Sequence, residues 1–391
     1  MPDSAPRRYL NRVRGRWRAS PPWARAITIL AALFIVPFIP FFDEPWLRVF
    51  FLVGLYVMLG LGLNVVVGFA GLLDLGYVAF FAVGAYTLAI FSSASSPLDL
   101  SVNFWLVLPL AMVIGATAGL LLGFPVLPLR GDYLAIVTLG FGEIVRVLIV
   151  NMDNVTAGAQ GISAISTPSL AFRHVDNPTS WYYFIVLAAA LVAFCTTRLG
   201  DSRVGRAWEA IREDEDVAAA MGIDTVKYKL MAFASGAAIG AVGGVLYASQ
   251  FSFVNPSAFT LQVSVNVLAL VIIGGMGSTT GVIFGAFILI GLPDILQFRE
   301  TADLLGRFEF LRSGINQGID ALNALSPWEL GGLPAADTWG TELADKRFIV
   351  FGALLTAIMV LRPAGLFPSR RREMEFKHVP PAENASSGAP P

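Results

Sequence analysis

Residues 46–68 read WLRVFFLVGLYVMLGLGLNVVVG, 23 residues with a single charge, Arg48, near the leading edge. A bilayer core of about 30 Å takes about 20 apolar residues in a helix, so this stretch is long enough to cross a membrane. The pattern breaks directly after it. Gly68, Gly71 and Gly76 punctuate the nine residues 68–76, and Asp74 falls among them. Backbone freed by such a break is tolerated at membrane depth only where it is buried in protein or lines a cavity.

The same ruler gives ten candidate spans, near residues 22–42, 46–68, 72–92, 104–129, 133–150, 181–197, 229–249, 261–275, 281–297 and 347–362. Composition agrees with that density. Of 391 residues 55% are hydrophobic and 14% are charged, against about a quarter charged in a soluble domain; the mean hydropathy is +0.67. The expected fold is an all-α polytopic membrane protein of about ten transmembrane helices with broken or re-entrant segments. A net charge of −1 gives no ground for a nucleic-acid partner, Cys195 has no second cysteine to pair with, and His174 and His378 do not make a His-rich metal site.

The N-terminal segment carries Arg7, Arg8, Arg12, Arg14, Arg16, Arg18 and Arg25 ahead of an apolar run to about Phe42. That run is longer than the core of a cleaved signal, about 7–15 residues, and reads as a retained first helix with its N-terminus in the cytoplasm. Ten spans from that start put the C-terminus there too. The inside segments are then 1–21, the Arg130 turn, 198–228, the 276–280 turn and the tail from Arg362. With the boundary residues Arg25 and Lys229 counted into their neighbouring segments, they hold 19 of the 27 basic residues. This bias is the positive-inside pattern, which an odd span count would break. Residues 1–21 are then a basic cytoplasmic segment, 22–368 one transmembrane domain with a cytoplasmic segment 198–228, and 369–391 a disordered tail. The loop 298–346 is external; within it, 300–345 carries eight acids against Arg307 and Arg312.

The four lysines, at 227, 229, 346 and 377, do not follow glycine, so the chain has no Walker-type phosphate loop. HExxH, GxSxG and CxxC are also missing from the sequence, and no nucleophile with a base is nominated. The expectation is a non-enzymatic membrane protein without a cofactor or metal of its own.

The segment Arg203–Asp224 predicts two short helices. Trp208 and Ile211 form one apolar edge, and Val217, Ala220 and Met221 a second, each at helical spacing. Gly222 suits a left-handed helix cap. The pattern is that of a solvated loop helix or of a docking helix for a cytoplasmic partner.

Four blocks together resemble the permease subunit of branched-chain amino acid ABC importers, the LivM type. They are Leu63–Tyr77 continuing to Gly84-Ala85-Tyr86; Leu129–Ile144; the 203–224 segment; and Ser235-Gly236 through Gly243–Tyr247, Asn255-Pro256, Phe259 and Val271–Ser278. A closing Arg362-Pro363-Ala364-Gly365-Leu366 also matches. The resemblance covers about residues 46–298 and 347–368. It departs at Thr156-Ala157-Gly158-Ala159-Gln160-Gly161-Ile162, where the family carries Thr-Gly-Gly before a Gly-Ile pair.

The resemblance implies a bacterial inner-membrane importer with a second permease of the LivH type, two cytoplasmic ATPase subunits that bind ATP and Mg, and a periplasmic solute-binding protein. Leucine, isoleucine and valine are the implied solutes, with urea or short amides as the alternative. An autonomous secondary transporter is the rival class. The 203–224 segment loosely fits the ABC-permease coupling pattern, and the coupling candidates are Gly205, Trp208, Glu209, Asp216, Ala218, Ala219 and Gly222.

Ionisable groups inside spans or at their breaks are functional candidates by default. Asp74, Glu143 and Arg146 are of this kind, the last two spaced to share a helix face. They read either as a mutually neutralising pair or as contacts for a zwitterionic solute. Gly68–Gly76 and Gly274–Gly281 read either as broken elements near the pathway or as close helix packing through small residues. The pathway candidates are Asn64, Gly68, Gly71, Asp74, Glu143, Arg146, Gly274 and Gly275. Gln262, Ser264 and Asn266 are further polar groups in spans. Asp132 is expected to cap the helix starting at Tyr133, and Cys195 and Trp181-Tyr182-Tyr183 to serve packing and an interfacial belt.

Overall fold

In a computed structural model, residues 44–295 are described apart from 99, 127, 130, 171, 172 and 176, together with 33–35, 37, 352, 356 and 366. The chain there is mostly helical. Helix α1 spans Glu44–Leu63 and runs on as a π-helical turn, Asn64–Phe69. Then come α2 Val78–Ser92, α3 Phe104–Val126, α4 Asp132–Asn151, α5 Pro178–Gly200, α6 Arg203–Glu213, α7 Glu215–Ala220, α8 Thr225–Phe251 and α9 Leu261–Gly274. Helix α10, Thr279–Ala286, continues through a π-turn at Phe287–Gly291 into Leu292–Ile295. Six of the helical stretches are long and apolar enough to cross a membrane, and α2 and the α10 stretch are shorter and apolar. These eight coincide with the eight expected spans between 46 and 297. The first and last expected spans, the 298–346 loop and the tail fall outside the described residues, save for isolated positions.

The connections alternate between two ends. At one end lie 93–103, 152–177 and 252–260. Strand β1, Ile162–Ser163, pairs antiparallel with β4, Phe253–Val254, while β2, Ser169–Leu170, pairs with β3, Arg173–His174. The hydroxyls of Ser93 and Ser95 both donate to the Ser163 carbonyl, Ser249 donates to that of Ser166 at 2.9 Å, and the Trp105 indole to that of Ser169 at 2.8 Å. At the other end lie 70–77, 127–131, 201–224 and 275–278.

Helix α8 is the central element, packed by small residues against α1, α2 and α3. A methyl group at Gly84 of α2 would collide with the Ala241 backbone, and one at Gly244 with the Phe81 carbonyl and the Ala85 nitrogen. On α3, Gly115 and Gly119 sit against Ala237, Ala241 and the Phe233 carbonyl. On α1, Gly62 meets Gly236. Lipid supplies no hydrophobic drive between helices, so association rests on such close backbone approach. On the outer surface, Leu106, Val113, Leu121 and Phe124 of α3 and Leu187, Leu191 and Phe194 of α5 are exposed. Apolar surface of that extent fits a lipid solvent.

Four local expectations are revised. The span expected at 72–92 becomes helical only at Val78, because Gly71 takes φ +72° and the Asp74 carboxylate accepts from the Gly76 amide. Asp132 is not an N-cap: the cap position is Gly131, and Asp132 is the first helical residue. There an acid still meets the positive end of the helix dipole. Cys195 faces outward from α5 and is exposed. Trp181 and Tyr182 are buried, with Trp181 edge-on to Phe51 at 5.8 Å and the Tyr182 hydroxyl donating to the Leu33 carbonyl at 2.8 Å, so packing claims both.

Candidate functional site

The two glycine-rich breaks, far apart in sequence, meet in space. The first is the π-turn ending α1 with the irregular stretch 70–77. Asn64 opens it: its Oδ1 accepts from the Gly277 amide at 2.8 Å, and its buried Nδ2 has no hydrogen-bond partner among the described residues. Gly68 has no room for a side chain, since a Cβ would strike Asn64 Oδ1 and come within 2.6 Å of the Gly277 nitrogen. Gly71 holds φ +72°, a conformation that costs an L-residue strain.

Asp74 is fully buried. Its Oδ1 accepts from the Gly76 amide at 2.8 Å, and its Oδ2 has no partner among the described residues. Helix α4 lies directly on this break. Thr138 accepts from the Leu75 amide at 3.0 Å, and a Cβ at Gly76 would collide with the Thr138 carbonyl. Ser264 of α9 accepts from Val78 at the start of α2, at 3.0 Å.

The second break, 275–278, separates α9 from α10. Gly275 and Gly277 adopt φ +114° and +80°, Gly274 abuts the Gly281 carbonyl, and Ser278 caps α10 by accepting from the Gly281 amide at 3.1 Å. The Leu366 amide donates to the Ile273 carbonyl at 2.8 Å, which places Leu366, the last residue of the closing motif, beside the second break.

Helix α6 sits against these breaks, and α7 packs on α6 and on the foot of α8. Ser202 caps α6 by accepting from Val204 and Gly205, and Gly205 packs on the carbonyls of Leu199 and Gly200. Trp208 and Ile211 are buried, and the Trp208 indole donates to the Tyr228 carbonyl at 2.7 Å. Arg212 was not among the sequence candidates, yet it makes the contact with the breaks. Its Nη1 donates to the Gly68 carbonyl at 2.8 Å, its Nη2 pairs with Glu213 at 3.0 Å, and its stem lies on Gly71.

Asp214 caps α7 by accepting from Asp216 and Val217, Ala218 is buried, and Gly222 takes φ +84° as expected of a left-handed cap. The second apolar edge faces out: Val217 and Met221 are exposed, as are Asp216 and Ala219. Glu209 is half-buried. Lys229, also missed from the sequence, is buried at the foot of α8 and pairs with Glu215 of α7 at 2.5 Å. Both missed cations stand beside several other charges in 203–229, a composition that reads as solvated surface.

Glu143 and Arg146 are not part of this cluster. They bond each other, with the Arg146 Nε donating to both carboxylate oxygens at 3.0 Å, on the exposed side of α4. Around them Tyr133, Ile136, Val137, Ile144, Val147 and Leu148 are also exposed. On α9, Gln262 donates to Asn266 at 2.9 Å, again at the surface. The pathway candidates thus divide into a group at the breaks, buried except for Gly71, and an ion pair on the exposed side of α4.

A multi-pass helical bundle with a polar connecting helix docked onto paired backbone breaks defines a polytopic membrane protein. The family described as branched-chain amino acid transport system / permease component matches residues 46–304. The high-affinity branched-chain amino acid transport system permease protein LivM of Salmonella typhimurium is 36% identical over 346 residues, covering 83% of this chain and 70% of that protein. LivM of Escherichia coli is 36% identical over 347 residues, with the same coverage. The permease LivH of Escherichia coli is 23% identical over 261 residues, 62% of this chain and 81% of its own. No solved structure matches. The chain belongs to the branched-chain amino acid permease family, and it is a multi-pass membrane transport subunit, not a catalytic one.

Proposed function

We propose that this chain is one of two permease subunits of a binding-protein-dependent ABC importer that carries leucine, isoleucine and valine inward. The observation that carries the reading is the 36% identity to proteins named as LivM over 83% of the chain. The similarity to LivH supports a permease pair. Two partner subunits hydrolyse ATP with Mg, and a periplasmic binding protein delivers solute at the end built from β1, β4 and the Ser93–Ser163 contacts. The bilayer is the bacterial inner membrane, with 198–228 on the cytoplasmic side.

In this reading Gly205, Trp208, Glu209, Asp216, Ala218, Ala219 and Gly222 belong to the coupling segment; Val217 and Met221 support it, being apolar groups left exposed among the described residues. The solute pathway passes Asn64, Gly68, Gly71, Asp74, Gly274 and Gly275, supported by the buried Asn64 Nδ2 and Asp74 Oδ2. It also passes Glu143 and Arg146, supported by the cost of leaving charge on a helix face toward hydrocarbon.

The test is uptake of labelled leucine into vesicles carrying the reconstituted complex. ATP-dependent accumulation, competed by valine and not by urea, is the expected result. Accumulation of urea in place of leucine would revise the solute and keep the class. Uptake by this chain without ATPases would overturn the importer.

A further inference from the structure

We propose that Arg212 is the positioning residue through which a displacement of α6 reaches both backbone breaks at once. The proposal rests on the importer reading for its functional half and on geometry alone for the rest.

The Arg212 guanidinium occupies the junction of three segments. It donates to Gly68, at the end of the π-turn, at 2.8 Å. Its Nη1 also lies 3.5 Å from where a Cβ on Gly277 would stand. Its stem fills the space over Gly71 that a side chain there would need. Asn64 closes the triangle, accepting from Gly277 one helical turn before Gly68.

A cation at the C-terminal carbonyls of α1 is favourable by itself, since helix ends leave carbonyls unsatisfied and carry partial negative charge. That accounts for the Gly68 bond. It does not account for the same guanidinium lying beside Gly277 of the second break, nor for the missing side chain at Gly71, where a Cβ would come within 2.5 Å of the Arg212 Cγ. Arginine suits this place because its planar fork holds several donors in fixed directions, where a lysine offers one compact charge.

The base of the lever is anchored. Trp208, one turn before Arg212, is buried and bonded to Tyr228, and Ser202 caps the start of α6. With the side chain only 20% exposed, Arg212 has little freedom to swing away. A push on α6 therefore moves the ends of α1 and α9 together, through the Arg212–Gly68 and Gly277–Asn64 hydrogen bonds and the packing of the Arg212 stem on Gly71.

Two measurements test this. Hydrogen exchange on the purified full chain in detergent compares wild type with Arg212→Met and Arg212→Lys. Arg212→Met is expected to speed exchange at least tenfold in both 65–72 and 275–281, with Arg212→Lys intermediate. Faster exchange confined to 65–72 would reduce Arg212 to a helix cap and overturn the link. In the reconstituted complex, Arg212→Met is expected to keep ATP hydrolysis within threefold of wild type while the ATP consumed per leucine imported rises at least tenfold, and Arg212→Lys to recover part of that loss. An unchanged ratio, or hydrolysis and uptake falling in step, would overturn the coupling role. If Arg212→Met yields no complex, Arg212→Lys decides the same ratio. If the wild-type complex itself shows no ATP-driven uptake, the importer reading fails, and the exchange experiment still decides whether Arg212 joins the breaks.

Discussion

At the scale of single residues, glycine does two different jobs here, separated by what stands opposite. Gly84 faces the Ala241 backbone with no space for a methyl, whereas Gly140, on the same bundle, has nothing within 4 Å of where a Cβ would stand. Gly84→Ala must therefore push α2 off α8, an overpacking that costs about 1–3 kcal/mol. Gly140→Ala meets no neighbour and gains helix propensity of up to about 1 kcal/mol. Thermal unfolding of the purified chain in detergent should show a lowered midpoint for Gly84→Ala and an unchanged or raised one for Gly140→Ala. Equal destabilisation by both would refute the packing assignment. The abundance of glycine was legible in the sequence, and so was the alternative between break and packing. Which glycine did which was not, because both roles need the same absence of a side chain, and only the partner backbone tells them apart.

At the scale of elements, α6 and α7 are fastened to the bundle by different chemistry. Helix α6 uses the buried Trp208 and the Arg212 contact, and α7 uses Glu215 on Lys229. The Lys229 side chain is 4% exposed and that of Glu215 23%, so the two halves of the pair are unequal. Glu215→Gln leaves a buried ammonium facing a neutral group, and breaking a buried pair in this way costs about 3–5 kcal/mol. Lys229→Met removes the buried charge, fills the same volume and leaves Glu215 able to turn to water. Chemical or thermal unfolding should rank Glu215→Gln as clearly more destabilising than Lys229→Met, and the reverse order would mean the pair is effectively solvated. The two short helices, the Gly222 cap and the buried edge of Trp208 and Ile211 were readable from spacing. The latches were not, since Arg212 and Lys229 stand among other charges, and a charge run carries no mark of which member turns inward.

At the scale of the whole molecule, the eight spans between 46 and 297 were legible because a 20-residue apolar run has few other uses. Which side of each span faces protein was much harder to read. Helix α4 is apolar on most sides, so its covered edge at Leu134, Ala135 and Thr138 and its bare edge at Tyr133, Ile136 and Ile144 look alike in sequence. The bare edge carries Glu143 and Arg146 as a bonded pair. Charge is costly against hydrocarbon, and in the proposed importer this face turns toward the second permease or the solute. The swap Glu143→Arg with Arg146→Glu separates neutralisation from recognition, because it keeps the pair and reverses its order. Either single substitution leaves an uncompensated charge and should lower the yield of assembled complex. The double swap should restore that yield. If the pair reads the ammonium and carboxylate of a zwitterionic solute, leucine uptake by the swapped complex should stay at least tenfold below wild type. Full recovery of uptake along with yield would show that the pair only neutralises itself, and would remove both residues from the pathway.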